Sequence, residues 1–114
     1  MRDKLIILLP DFEDPAFPGR RFFCWHCVLL EGVLASFPQL EDTLEVIRVA
    51  WPKPRQEVVD LLGPENQDLP VMVLADDAPL GLETGTAKQR RFVAGKDAIL
   101  KVLVARHGIP EPHP

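Results

Sequence analysis

Long apolar runs, basic stretches, a second cysteine pair and internal repeats are all missing from this chain, and each absence removes a class of function. The N-terminal apolar run is only "LIILLP", followed at once by "DFEDP". That is too short for a signal-peptide core or a membrane span, and no small-residue cleavage site follows it. A cytoplasmic location and no membrane partner are expected. The 13 Lys and Arg are outnumbered by 17 Asp and Glu, for a net charge of −4. A nucleic-acid binder normally shows a basic face, so no nucleic-acid partner is expected. Arg20-Arg21 and Arg90-Arg91 are isolated pairs. The 12 prolines among 114 residues are spread along the chain and read as punctuation rather than disorder.

What is present is enough for one domain with its own hydrophobic core: 46% of the residues are apolar and 26% charged. "KLIILL" (4–9) is a short β-rich run closed by Pro10 and reads as a buried strand. "PDFEDPAFPGRRFF" is punctuated by Pro and Gly and reads as a loop. From Cys24 or Cys27 to Phe37 the apolar residues Val28, Leu29, Leu30, Val33, Leu34 and Phe37 recur at helical spacing, until Pro38 stops the helix. "TLEVIRVAW" (43–51) favours a strand through its β-branched content, with Trp51 and Pro52 closing it. Pro54 suits a first helical turn, and that helix ends at Gly63 and Pro64. "PVMVLA" (70–75) has strand length, "DDAPLGLETGTAKQ" reads as a turn region, and "RRFV" as a fourth strand. "GKDAILKVLVARHG" predicts a helix with Gly108 at its end and Pro110 just beyond. The expected fold is α/β, in the order β-α-β-α-β-β-α, with a four-stranded mixed sheet covered on both faces.

Two cysteines stand three apart in "CWHC", after the first strand and at the start of the first helix. Free N–H groups and the helix macrodipole favour an anion there. A thiol in such a place can fall from about 8.5 to roughly 3.5–7.5. Cys24, at the helix tip, is the expected nucleophile; Cys27, one turn on and more buried, would resolve a mixed disulfide. His26 between them would favour the thiolate by charge or hydrogen bonding. Trp25 offers apolar cover and a surface for a partner chain or a second copy.

Three stretches resemble the thioredoxin fold, and within it the glutaredoxin and glutathione-transferase N-terminal branch. "CWHC" has the motif spacing, with His where disulfide isomerases and bacterial disulfide oxidases carry it. "NQDLPVMVL" is similar to the segment in which a cis proline opens the third strand, which implies a cis Leu69–Pro70 bond facing the cysteines, with Leu69 and Pro70 presenting backbone to a substrate strand. "RRFVAGKDAILKVL" resembles the join between the fourth strand and the last helix, where a Gly-rich corner and a polar side chain hold glutathione's γ-glutamyl end. By that likeness Gly95, Lys96 and Asp97 are candidate ligand residues, although transferases carry Ser where Lys96 stands. Arg21, three before Cys24, stands where glutaredoxins often have a basic residue that meets a carboxylate. The opening "PDFEDPAFPGRRFFC" with its following "HC" is also similar to that of an uncharacterised bacterial family. The loop before the motif is some ten residues longer than in thioredoxin-like enzymes.

The resemblance implies a thiol–disulfide oxidoreductase acting on protein disulfides or glutathione, with glutathione as substrate and no resident cofactor. Three other readings stay open. The cysteines could pack as small apolar residues. The domain could be a non-catalytic binding module whose Pro-rich loop at 10–19 caps the thiols. It could also be a small zinc-binding interaction domain, although zinc needs two more ligands and there is no second C-x-x-C. His107 and His113 have no evident partner in the sequence.

Overall fold

A computed structural model describes all 114 residues. Seven strands and four helices follow in the order β1 (Asp3–Leu8), β2 (Phe12–Glu13), β3 (Arg21–Phe22), α1 (Trp25–Ser36), α2 (Leu40–Thr43), β4 (Leu44–Val49), α3 (Gln56–Leu62), β5 (Val71–Val73), β6 (Gly85–Ala87), β7 (Arg90–Ala94) and α4 (Lys96–His107). Five strands form one mixed sheet in the order β4-β1-β5-β7-β6. β1 and β4 run parallel, from Asp3 opposite Leu44 to Leu8 opposite Val49, so the chain between them must cross over, and α1 lies in that crossover. The β1–β5, β5–β7 and β6–β7 pairs are antiparallel.

The sheet has five strands where the sequence pattern predicts four. The additional strand is β6, an edge formed by Gly85, Thr86 and Ala87 inside the expected turn region. It has no apolar alternation to announce it. Its hairpin with β7 turns on Lys88 and Gln89, both at positive φ (48° and 63°). Such mirror-image turns usually carry Asn or Gly, so neither the strand nor the turn has a sequence signal. The expected loop at 10–23 likewise contains a minimal hairpin, β2 against β3. It is held by aromatics: Phe12 stacks on Trp51 at 5.5 Å, Phe17 meets Phe22 edge-on at 5.7 Å, and the Arg20 guanidinium lies over the Phe22 ring at 5.1 Å.

Alternate residues of a strand face opposite sides. Because Leu5, Ile6 and Ile7 are all 0% exposed, both faces of β1 are covered. Leu30 and Leu34 of α1 and Ile99, Val102 and Leu103 of α4 join the same core, and α1 and α4 pack on each other. α4 ends on Gly108 in the left-handed conformation (φ 74°), as its sequence implies. β4 is the sheet's other edge. Its Arg48 forks onto Glu31 of α1 at 2.8 and 2.9 Å, and its Glu45 takes the Lys4 ammonium at 2.7 Å. No helix is long and apolar enough to cross a membrane.

Candidate thiol site

α1 begins where β1 and the β2–β3 hairpin deliver the chain, and its N-cap is Cys24. The cap residue has extended backbone, so its side chain turns back over the first turn, where Ser or Asp commonly accepts a backbone N–H. Here the thiol does this: Cys24 Sγ accepts the Cys27 N–H at 3.3 Å. Cys27 Sγ in turn accepts the Leu8 N–H at 3.4 Å, which ties the second sulfur to the end of β1. Both cysteines are free, and they come within 3.0 Å of each other. The two differ in access: Cys24 is half-buried, while Cys27 is 1% exposed.

Burial pushes the Cys27 thiol up to about 12, and the hydrogen bond with Cys24 acts in the same direction; the Leu8 N–H and the Arg55 charge pull it back. A thiol raised in the folded state keeps its proton where the unfolded chain has lost it, so stability falls as pH rises between about 9 and about 12. In reducing buffer the folded protein is therefore expected to lose about 1 kcal/mol per pH unit in that window through Cys27. Urea unfolding of wild type and Cys27→Ala across that range checks this. Equal slopes in the two proteins would refute it.

The other sequence-expected residues fall mostly along one connected path. Trp25 is 62% exposed, with its ring against the His26 imidazole at 3.8 Å between centroids. The Lys96 ammonium lies over that same Trp25 ring at 5.4 Å, so the start of α4 meets the start of α1. Lys96 also pairs with Asp97 at 3.1 Å, and Asp97 is otherwise exposed. Gly95 caps α4 at φ 88°, a conformation that favours glycine, and its N–H donates to the Pro70 carbonyl at 3.2 Å. The Leu69–Pro70 bond is cis, Pro70 is buried, and Leu69 packs at the edge of the core.

Arg21 is the exception. Its Nε donates to Asp11 Oδ1 at 2.7 Å and its Nη2 to the other oxygen of that carboxylate, so its charge is taken up within the hairpin. The pair forms one wall of a cleft of about 420 Å³ whose remaining lining is Pro10, Phe22, Phe23 and Val28. Phe23 adjoins Cys24 in sequence, and Val28 lies one turn along α1. Phe23 is 60% exposed and Val28 41%, so the surface flanking the outer thiol is apolar.

Sequence reasoning missed Arg55. It lies between β4 and α3 and is, with Asp3, one of two buried charged residues. Its Nε donates to the Trp51 carbonyl at 2.8 Å and its Nη1 to the Gln67 carbonyl at 2.7 Å. An Arg following "PKP" reads as a solvated loop charge, and no local signal marks it as buried.

No curated protein and no solved structure matches the chain. A family model described as "Protein of unknown function (DUF3088)" matches residues 2–111, and the chain belongs to that family.

Proposed function

We propose that the chain is a thioredoxin-like thiol–disulfide oxidoreductase that works through Cys24 and Cys27. The observation that carries this reading is the asymmetric pair at the tip of α1: two free thiols within 3.0 Å, one reachable and one buried. Two further features support the reading: β4, β1, β5 and β7 with α1, α3 and α4 follow in the order β-α-β-α-β-β-α, and a cis Leu69–Pro70 bond precedes β5.

In the forward direction the Cys24 thiolate attacks a substrate disulfide, forms Cys24–S–S–R and releases the other half as thiolate. Cys27, as thiolate, then attacks the Cys24 sulfur, the bond to R breaks, and RS⁻ departs with the electron pair. Two electrons pass from the dithiol to the substrate, and the two protons shed by the cysteines are taken up by the two released thiolates. The apolar rim of Phe23, Trp25 and Val28 suits a protein disulfide, whereas the glutaredoxin-like resemblance would put glutathione at the start of α4, with Gly95, Lys96 and Asp97.

Titration against a glutathione redox buffer, with thiols counted by alkylation and mass spectrometry, is expected to show one two-electron transition and one intramolecular disulfide. Cys24→Ser should lower disulfide-exchange turnover by about a hundredfold or more. Cys27→Ser should instead accumulate a mixed disulfide on Cys24. Thiols that stay reduced in oxidising buffer would overturn the reading and favour a non-catalytic binding module.

A further inference from the structure

Positive charge gathers at one place on this acidic chain, through the fold rather than through any basic stretch. A cavity of about 400 Å³ opens beside the start of β1, at the far end of that strand from Leu8, whose N–H holds the Cys27 sulfur. Four cations line it: Arg2 and Lys4 from the beginning of the chain, Lys88 and Arg90 from the β6–β7 hairpin. Arg2, Lys88 and Arg90 have no carboxylate within 4.0 Å. Each is met by one backbone carbonyl instead: Arg2 Nη1 donates to Leu44 at 3.3 Å, Lys88 Nζ to Asp60 at 3.1 Å and Arg90 Nη1 to Leu61 at 3.3 Å. A carbonyl steers a cationic head without neutralising it, and each head has further donors to give.

Little negative charge opposes them. Lys4 is paired with Glu45 at 2.7 Å, and Asp76 is the one carboxylate in the lining, exposed and in no ion pair. Asp60, whose carbonyl meets Lys88, spends its carboxylate on the Gln56 amide at 2.6 Å. The cavity therefore carries net positive charge on a chain of net charge −4. The hairpin turn adds a second observation. Lys88 and Gln89 both line the cavity and both sit at positive φ, 48° and 63°, where Asn and Gly are the favoured residues. The turn thus keeps two long polar side chains at the cavity against the preference of its own backbone. The remaining lining is apolar: Leu61 is half-buried, and Val73 and Leu74 are buried.

We infer that this cavity binds a small organic phosphate, with Arg2, Lys88 and Arg90 on the phosphate oxygens and Leu61, Val73 and Leu74 against the carbon skeleton. Guanidinium forks and an ammonium match phosphate geometry and charge. Three cations without carboxylate partners call for a ligand with at least two negative charges, which a phosphate ester supplies and a single carboxylate does not. A concave site with a few convergent polar groups over apolar walls is the usual form of a small-molecule pocket. The inference needs neither cysteine and goes beyond the exchange reading, since the cavity and the thiols lie at opposite ends of β1.

Calorimetric titration of the full chain in metal-free, low-salt buffer tests this with inorganic pyrophosphate, inorganic phosphate and phenyl phosphate. Pyrophosphate is expected to bind one-to-one with a dissociation constant on the order of 0.1 mM. Phenyl phosphate should bind about tenfold more tightly than phosphate, because its ring reaches the apolar wall. Arg90→Gln should weaken pyrophosphate about tenfold. Lys101→Gln, which removes a cation on α4 that also lacks a carboxylate partner but lies outside the cavity, should leave binding in place. Lys88→Gly separates the ligand from the fold: it relieves the left-handed backbone, so the urea midpoint should stay at or above that of the wild type while pyrophosphate binding falls about tenfold. The inference is overturned by the absence of saturable pyrophosphate binding, by an equal loss in Lys101→Gln and Arg90→Gln, by full binding in Lys88→Gly, or by phenyl phosphate binding no more tightly than phosphate. Cys24→Ser should bind pyrophosphate as the wild type does, so this outcome and that of the redox titration are read separately.

Discussion

Replacing Asp3 by Asn is expected to lower stability by about 3 kcal/mol at neutral pH and to flatten the protein's response to acid. The Asp3 carboxylate is buried at the start of β1 and accepts four groups: the Ala75 N–H at 2.7 Å, Arg106 Nε at 2.8 Å, Arg106 Nη2 at 3.3 Å and His107 Nε2 at 2.7 Å. His107 Nδ1 lies 3.2 Å from Thr43 Oγ1, so the cluster joins β1, the residues after β5, the end of α4 and α2. Because the carboxylate can only accept, Nε2 is the protonated nitrogen of that ring. Burial by itself would raise the Asp3 carboxyl, but the bonds from His107, Arg106 and Ala75 outweigh it and hold the group well below the usual carboxylate range. A depressed carboxyl contributes stability that is present above its unfolded value, about 3.8, and is lost as pH falls below that value. Asparagine keeps the shape and forfeits the charge, leaving Arg106 with only the exposed Asp77 at 3.3 Å. Urea unfolding of both proteins at pH 7 and at steps down to pH 3 measures both effects. A cost under about 1 kcal/mol, or parallel acid slopes, would refute this account of the cluster.

Leu5→Ala and Ile6→Ala are each expected to cost about 3 kcal/mol, within the roughly 2–5 kcal/mol seen when a buried aliphatic side chain is cut to Ala. The two residues adjoin on β1, point to opposite faces of the sheet and are both 0% exposed. Each substitution therefore opens a cavity in a different layer. The midpoint in urea should fall in both variants with the slope unchanged, since the surface exposed on unfolding is nearly the same. If one variant proved near neutral, that face of the central strand would not be packed, and a sheet covered on both sides would be the wrong description.

How much of this was legible in the sequence depends on the range of the interaction responsible. β1, α1, β4 and α4 were legible because apolar residues at strand or helix spacing, with Pro38 and Gly108 as stops, carry their own signal. β6 was not, because three small or polar residues become a strand only through pairing with β7. The β2–β3 hairpin owes its order to Phe12 stacking on Trp51, a contact across 39 positions of chain. At the site the cysteine spacing and the helix start were readable, since both are local. The bond that takes Arg21 to Asp11 is formed within a hairpin the pattern did not show, and the burial of Arg55 depends on carbonyls at Trp51 and Gln67 that only the folded chain assembles. His107, given no role from the sequence, meets a partner 104 residues away.

The outer strand β4 leaves one row of backbone N–H and C=O groups without a neighbouring strand, the arrangement through which sheets recruit foreign chains. Glu45 and Arg48, three apart on that strand, stand on its opposite faces, each engaged by an opposite charge. An incoming strand would have to lay its own side chains alongside charges on both faces. A strand that carries paired charges on each face thus guards against runaway fibre growth.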